Sequence, residues 1–77
     1  MIASEVNVME TMNLTINGKP RNVDPVRTVG ELLRRLDLDP RQVVVELRGT
    51  IIRRKEVDQT PVQDSDELEI LRFVGGG

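Results

Sequence analysis

From Met12 onward the apolar residues change period several times, and each change marks an element. Leu14 and Ile16 alternate with Asn13 and Thr15, the period of two expected of a strand with one buried face. Asn17-Gly18 follows. Both residues tolerate positive φ, which a two-residue type I′ turn requires. Residues 12–24 therefore read as a β-hairpin with its return strand over 19–23. Pro20 has no N–H to give, so its amide position must face off the ladder or the return strand must begin late. Thr28-Val29-Gly30-Glu31 fits a helix capping box. Val29, Leu32, Leu33 and Leu36 then fall at i, i+3, i+4 and i+7, one apolar stripe of a helix over 28–36. Glu31 and Arg35 have the spacing of an i,i+4 pair on its wet face, and Pro40 is expected to end the segment.

The second half of the chain returns to strands. Val43-Val44-Val45-Glu46-Leu47 is a β-branched run, Gly49 marks a turn, and Ile51-Ile52 continues as a short strand. Residues 59–66 read as a loop holding Pro61 and the turn formers Asp64-Ser65-Asp66. Residues 67–73 form the last strand, with Leu68 and Ile70 on one face and Glu67 and Glu69 on the other. Leu71 has the parity of the glutamates, so it should point to the face that a single helix leaves uncovered. Phe73 shares that parity. The predicted order is β-β-α-β-β-β, an α+β fold with a mixed four- to five-stranded sheet under one helix. Its first and last strands should meet in the centre, where the helix covers them.

Composition narrows the chemistry. The chain has 77 residues, a net charge of −2 and neither cysteine nor histidine. That excludes disulfides, thiolate metal sites, a catalytic thiol and an imidazole base. Phe73 is the one aromatic, so a stacking platform for single-stranded nucleic acid is absent. The acidic balance argues against a phosphate-backbone binder. Arg34-Arg35 and Arg53-Arg54-Lys55 read as solvated faces. The acidic group Asp64, Asp66, Glu67 and Glu69 lacks calcium-loop spacing and reads as a turn plus a wet strand face. No catalytic side chain and no metal ligand stands out, so the domain is not expected to be an enzyme. Residues 1–11 carry Glu5 and Glu10, no Lys or Arg, and no clean periodicity. They are expected to be a disordered extension before a domain over 12–74, with a flexible tail over 75–77. No signal-peptide pattern or long apolar run appears, and the cytoplasm is the expected compartment.

Gly75-Gly76-Gly77 is the feature that the fold does not explain, because glycine has the largest backbone entropy to lose and buries no side chain. Residues 74–77, extended, reach roughly 13–14 Å. Without Cβ atoms such a segment is thin enough to thread a narrow channel and present its α-carboxylate to another protein. A carboxylate is a poor electrophile. Adenylation makes it a mixed anhydride, and a sulfur nucleophile can then convert it to a thiocarboxylate.

Three stretches carry a resemblance: residues 12–19, MNLTINGK; residues 28–33, TVGELL; and residues 67–77, ELEILRFVGGG. In this order and spacing they resemble the ThiS family, the sulfur carriers of thiamine biosynthesis. The resemblance implies the ubiquitin-like β-grasp fold. It also implies that an E1-like enzyme (ThiF) adenylates the C-terminal glycine with ATP and magnesium, none of which the carrier domain binds itself. A desulfurase relay would then supply sulfur, and the thiocarboxylate would donate it to thiazole synthase (ThiG). On this chain the reactive carboxylate falls on Gly77, with Gly76 beside it in the partner's channel and Gly75 as spacer. Leu71, Phe73 and Val74 are the expected docking residues of a carrier that is monomeric alone. The chain departs from the family pattern at Ser65-Asp66, where Gly-Asp is usual, and at Val57, where an aromatic is common. A small subunit of molybdopterin synthase, of the MoaD type, would share fold, tail and activation. So would a protein modifier that forms isopeptide bonds. A plain interaction module with an inert tail is the remaining class.

Overall fold

A computed structural model of the chain describes residues 11–73. Residues 1–10 of the extension expected over 1–11, Val74 and the glycine tail lie outside the described residues. Five strands form one sheet: β1 (Met12–Ile16), β2 (Lys19–Val23), β3 (Val43–Leu47), β4 (Thr50–Ile52) and β5 (Glu67–Arg72). One α-helix, α1 (Val29–Arg35), packs on it. The strand order is β2-β1-β5-β3-β4. Only β1 and β5 run parallel, so the first and last strands meet in the centre as expected.

Two hairpins use the same turn chemistry. Asn17 and Gly18 have φ of 54° and 79°, and Arg48 and Gly49 have φ of 50° and 86°, the type I′ pattern in each case. In the first hairpin Ile16 faces Lys19 and Thr15 faces Pro20. The Thr15 N–H donates the other way, to the Asp66 carbonyl at 3.0 Å. The Pro20 nitrogen therefore points out of the ladder on an edge strand, where its missing hydrogen is harmless. In the second turn Arg48 occupies a conformation that non-glycine residues seldom adopt. Its guanidinium lies 2.5 Å from the Asp66 carboxylate, which also accepts the Gln63 N–H at 2.8 Å. Asp66 is only 7% exposed. The acidic group read as wet surface is thus in part a buried structural ion, because Asp66 ties the β3–β4 turn to the start of β5. Asp64 accepts the Asn13 N–H at 2.7 Å.

The helix begins as its sequence dictates. The Thr28 hydroxyl accepts the Glu31 N–H at 3.1 Å. The Glu31 carboxylate reaches one residue further back than a capping box implies and accepts the Arg27 N–H at 2.7 Å. Thr28 itself stands opposite Pro61 in a bridge whose bonds are donated by the Val29 N–H to the Thr60 carbonyl at 2.9 Å and by the Val62 N–H to the Arg27 carbonyl at 3.0 Å. The stop comes before Pro40. Asp37 takes φ 63°, its N–H donates to the Arg34 carbonyl at 3.0 Å, and the Leu38 N–H donates to the Leu33 carbonyl at 2.8 Å. That is a Schellman motif with aspartate where glycine is usual. Pro40 opens a 3₁₀ turn over Pro40–Gln42, capped by Asp39. Hydrogen bonds from the Arg41 side chain, and then from its backbone N–H, hold the exposed Asp39 carboxyl below its ordinary range. The expected Glu31–Arg35 pair does not form. Arg35 pairs with Asp24 at 3.1 Å and Arg34 with Asp58 at 3.1 Å. Both pairs are exposed and contribute about 0–1 kcal/mol.

A 3₁₀ helix over Arg54–Gln59 was not legible as an element in the sequence. It buries Val57 and lies against α1. Gly30 permits that approach, since a Cβ there would sit 1.9 Å from an Asp58 carboxylate oxygen and 3.3 Å from the Asp58 Cα. The core is aliphatic throughout. Leu14 and Ile16 of β1, Leu68 and Ile70 of β5, and Val43, Val45 and Leu47 of β3 meet Val29, Leu32 and Leu33 of α1. Leu36, expected to complete the helix stripe, is only partly buried at the helix end.

The two ends of the stripe should differ. Leu32 is 0% exposed, so Leu32→Ala loses transfer energy and leaves a closed cavity, at a cost of ~2–5 kcal/mol. Leu36→Ala should cost clearly less. Denaturant midpoints that shift equally for the two variants would contradict this placement of α1.

Candidate functional site

The tail chemistry expected from sequence would need an end of β5 that another protein can reach, so the candidate site is built from β5 and its neighbours. Strand alternation divides the sheet into two faces. Leu14, Ile16, Val43, Val45, Leu47, Leu68 and Ile70 turn to the helix, as their burial shows. Asn13 and Thr15 of β1, Val44 and Glu46 of β3, Glu69 and Leu71 of β5, and Ile51 of β4 turn to the open face. Over β1 that face is polar, and over β5, β3 and β4 it carries the apolar Leu71, Val44 and Ile51 beside Glu69 and Glu46.

Leu71 is placed as expected, on the open face and 64% exposed. It sits directly opposite Val44 on β3, and Ile51 on β4 is 63% exposed. Together with Glu46 and Glu69 these residues line a shallow depression of about 200 Å³. Val44 and Ile51 were not named among the docking residues from sequence. Their signal was present in the alternation of the β3 run, which puts Val44 out of phase with the buried Val43 and Val45. Phe73, expected beside Leu71, lies past the end of β5. Its N–H donates to the Gln42 carbonyl at 3.1 Å and its side chain is half exposed. It does not line the depression. Val74, Gly75, Gly76 and Gly77 fall outside the described residues.

Asn17 fixes the position of this strand end. Beyond the short β1–β5 ladder the Asn17 side chain takes over: its Oδ1 accepts the Ile70 N–H at 2.7 Å, and its Nδ2 donates to the Ile70 carbonyl at 3.1 Å. One side-chain amide thus satisfies both backbone groups of Ile70, the residue before Leu71. Sequence reading assigned Asn17 to the turn alone. On the helix side of the same strand end, Arg21 and Arg72 flank a groove of about 290 Å³ floored by Ile16, Leu36, Leu38 and Ile70. Among the described residues no group of three or more acidic side chains could hold a metal ion, and no helix is long and apolar enough to cross a membrane.

Comparison with known proteins places these features in a family. The model of the ThiS family matches residues 14–77. The chain is 34% identical over 65 residues to the sulfur carrier protein ThiS of Bacillus subtilis, a match that covers 83% of this chain and 98% of that protein. It is 44% identical over 66 residues to a thiazole synthase of Paramagnetospirillum magneticum. There the match covers 86% of this chain but 20% of the relative, so the chain spans about a fifth of the thiazole synthase's length. The crystal structure of the thiamine biosynthesis protein ThiS from Geobacter metallireducens superposes with a TM-score of 0.71 at 46% identity, over 86% of this chain and all of that one. At that identity the likeness bears out the β-grasp fold expected from sequence.

The Asn17 clamp can be isolated. Glycine accepts the same positive φ, so Asn17→Gly keeps the turn and removes only the amide. It should cost ~1–3 kcal/mol, because the Ile70 N–H and carbonyl lose their partners. Amide exchange should accelerate at Ile70 more than at Leu32 in the helix. Uniform acceleration at both positions would mean that the clamp has no local role.

Proposed function

The chain belongs to the ThiS family, and on that premise we propose that it is a sulfur carrier of thiamine biosynthesis that works through its C-terminal glycine. The observation that carries this reading is the family match over residues 14–77, which runs from the first core residue of β1 through the three glycines. The thiazole synthase relative, with a segment 44% identical to this chain, supports thiazole synthase as the acceptor.

In the proposed cycle the Gly77 carboxylate attacks the α-phosphate of ATP, bound with magnesium by an E1-like adenylating enzyme of the ThiF type. Pyrophosphate leaves and an acyl adenylate remains. Sulfur delivered at the sulfide level by a desulfurase relay then attacks the acyl carbon and expels AMP, which leaves a thiocarboxylate on Gly77. The thiocarboxylate sulfur is the nucleophile that the acceptor enzyme uses. No step asks for an acid or base from this domain, in keeping with a chain that has neither cysteine nor histidine. Gly76 and Gly75 serve by having no side chain. The open apolar face over β5, with Leu71, is the docking surface.

Removing Gly76 and Gly77 should leave the melting temperature nearly unchanged and abolish sulfur loading. With ATP, the adenylating enzyme and a sulfide source, the full chain should exchange one oxygen for sulfur in intact-mass spectra, with the change located at Gly77. A shortened chain that still accepts sulfur would overturn the assignment. Delivery of that sulfur to a reconstituted molybdopterin synthase, and none to a reconstituted thiazole synthase, would overturn the pathway alone.

Leu71→Thr keeps a strand former on an exposed position, so the fold should be unaffected. Affinity for the adenylating enzyme should drop by roughly tenfold, the equivalent of losing about 1.4 kcal/mol of apolar contact. Unchanged affinity in a titration would remove the open face from the docking surface.

A further inference from the structure

Four carboxylates of this domain have arginine partners: Asp24 with Arg35, Asp39 with Arg41, Asp58 with Arg34, and Asp66 with Arg48. Glu46 and Glu69 are two of the carboxylates without one, and their placement sets them apart. Among the described residues neither forms an ion pair, although they stand directly opposite each other on β3 and β5. Their shared row continues to Ile51 on β4, and the adjacent row is Val44 opposite Leu71. Side chains facing each other across strands have Cβ atoms about 4.5–5.5 Å apart, and like charges there repel. Apolar neighbours weaken the screening that water would supply. Glutamate is also a poor strand former compared with threonine or valine. The fold therefore gains nothing from this pair, and a bound cation would relieve it.

Resting on the reading of Gly77 as the substrate of an adenylating enzyme, we propose that Glu46 and Glu69 form the selective centre of the docking surface. They receive one Lys or Arg side chain of that enzyme, and its apolar neighbours cover Val44, Ile51 and Leu71. Continuity with the tail identifies this partner. From Leu71 to Gly77 the chain spans at most roughly 20–22 Å, so an enzyme holding the Gly77 carboxylate lies against the end of β5. Charge then decides which side it covers. The groove on the helix side of that strand end carries Arg21 and Arg72 and repels the same cation. The open face attracts it. Opposite charges on the two sides of one strand thus orient the partner before the tail enters its channel. Charges at such positions act mainly on association rate and on its salt dependence.

The test measures association and dissociation rates of the full chain with its adenylating enzyme at low and high sodium chloride. Glu46→Gln/Glu69→Gln should associate roughly tenfold more slowly at low salt and lose most of the salt dependence, with dissociation changed less. Glu46→Lys/Glu69→Lys should be slower still. Thermal melts should show the neutral double variant at least as stable as the parent chain, since a repulsion has been removed. The single variant Glu69→Gln, with an intermediate rate, guards against misfolding of the charge-reversed chain. Unchanged rates and salt slopes in all three variants, with the parent chain still supporting pyrophosphate exchange, would overturn the role of the glutamate pair alone. A parent chain that neither binds nor supports exchange would overturn the sulfur-carrier reading and this proposal with it.

Discussion

The parallel contact between β1 and β5 is the constraint on which the rest of this fold depends. It is short: Thr15 pairs with Glu67 and Ile16 with Leu68. Flanking bonds run from Thr15 to the Asp66 carbonyl and from Asn17 to the Leu68 carbonyl, at 3.0 and 2.9 Å. The Asn17 amide then extends the contact to Ile70. Parallel strands cannot be joined by a tight turn, so everything between residues 17 and 66 serves as the crossover. That crossover has to supply the helix that covers the contact and, on the other side of β5, its neighbour β3 with β4 beyond it. Closing so long a loop costs entropy. The aliphatic core and the hydrogen bonds at both ends of the β1–β5 contact offset it.

A central last strand has a consequence for the chain end. β5 is paired to β1 at its start and to β3 along its length, and the Asn17 side chain holds its free edge at Ile70, so its end is fixed in direction. The Phe73 N–H still bonds to Gln42. Whatever follows leaves from a fixed point between two unlike surfaces, the apolar open face with its glutamates and the arginine-lined groove beside the helix. An edge strand would offer neither the fixed direction nor the choice of sides. The same strand therefore builds the core with Leu68 and Ile70 and turns Leu71 to the open face.

Much of this was legible because local patterns and the global fold agree. The Asn17-Gly18 turn, the Thr28 cap, the stripe of Val29, Leu32 and Leu33, and the parity of Leu68, Ile70 and Leu71 all follow from nearest-neighbour rules. What escaped depends on partners far away in sequence. Asn17 and Ile70 are separated by 53 positions, and no periodicity reports a side chain that mends a ladder at that distance. Asp66 looked like turn surface because its partner, Arg48, lies in another hairpin. That hairpin was located by Gly49, with nothing to show that arginine would take the other positive φ. The helix stop was assigned to Pro40 because proline is the louder signal, yet Asp37 takes the left-handed position first. The 3₁₀ helix over Arg54–Gln59 has one buried residue, Val57, and one such residue sets no period. The glycine tail lies outside the described residues, and its proposed role rests on the family match over residues 14–77.

The composition bears on the chemistry as well as on the fold. An acyl adenylate at Gly77 would be open to any nucleophile of its own chain, and the tail is long enough to bend back. A thiol would capture the acyl group, an imidazole would hydrolyse it, and an amine would form a dead-end amide. The chain has no cysteine and no histidine, and of its eleven basic residues only Lys19 and Lys55 are lysines. The remainder are arginines, whose guanidinium stays protonated and does not attack. Cationic surface is thus supplied almost wholly by a group that cannot quench the activated carboxyl, while it still supplies bidentate partners for Asp39 and a tight one for Asp66. On the proposed cycle, the absence of cysteine and histidine is then no mere lack in a small domain. A carrier that is activated by one enzyme and discharged by another needs a surface that reacts with neither intermediate.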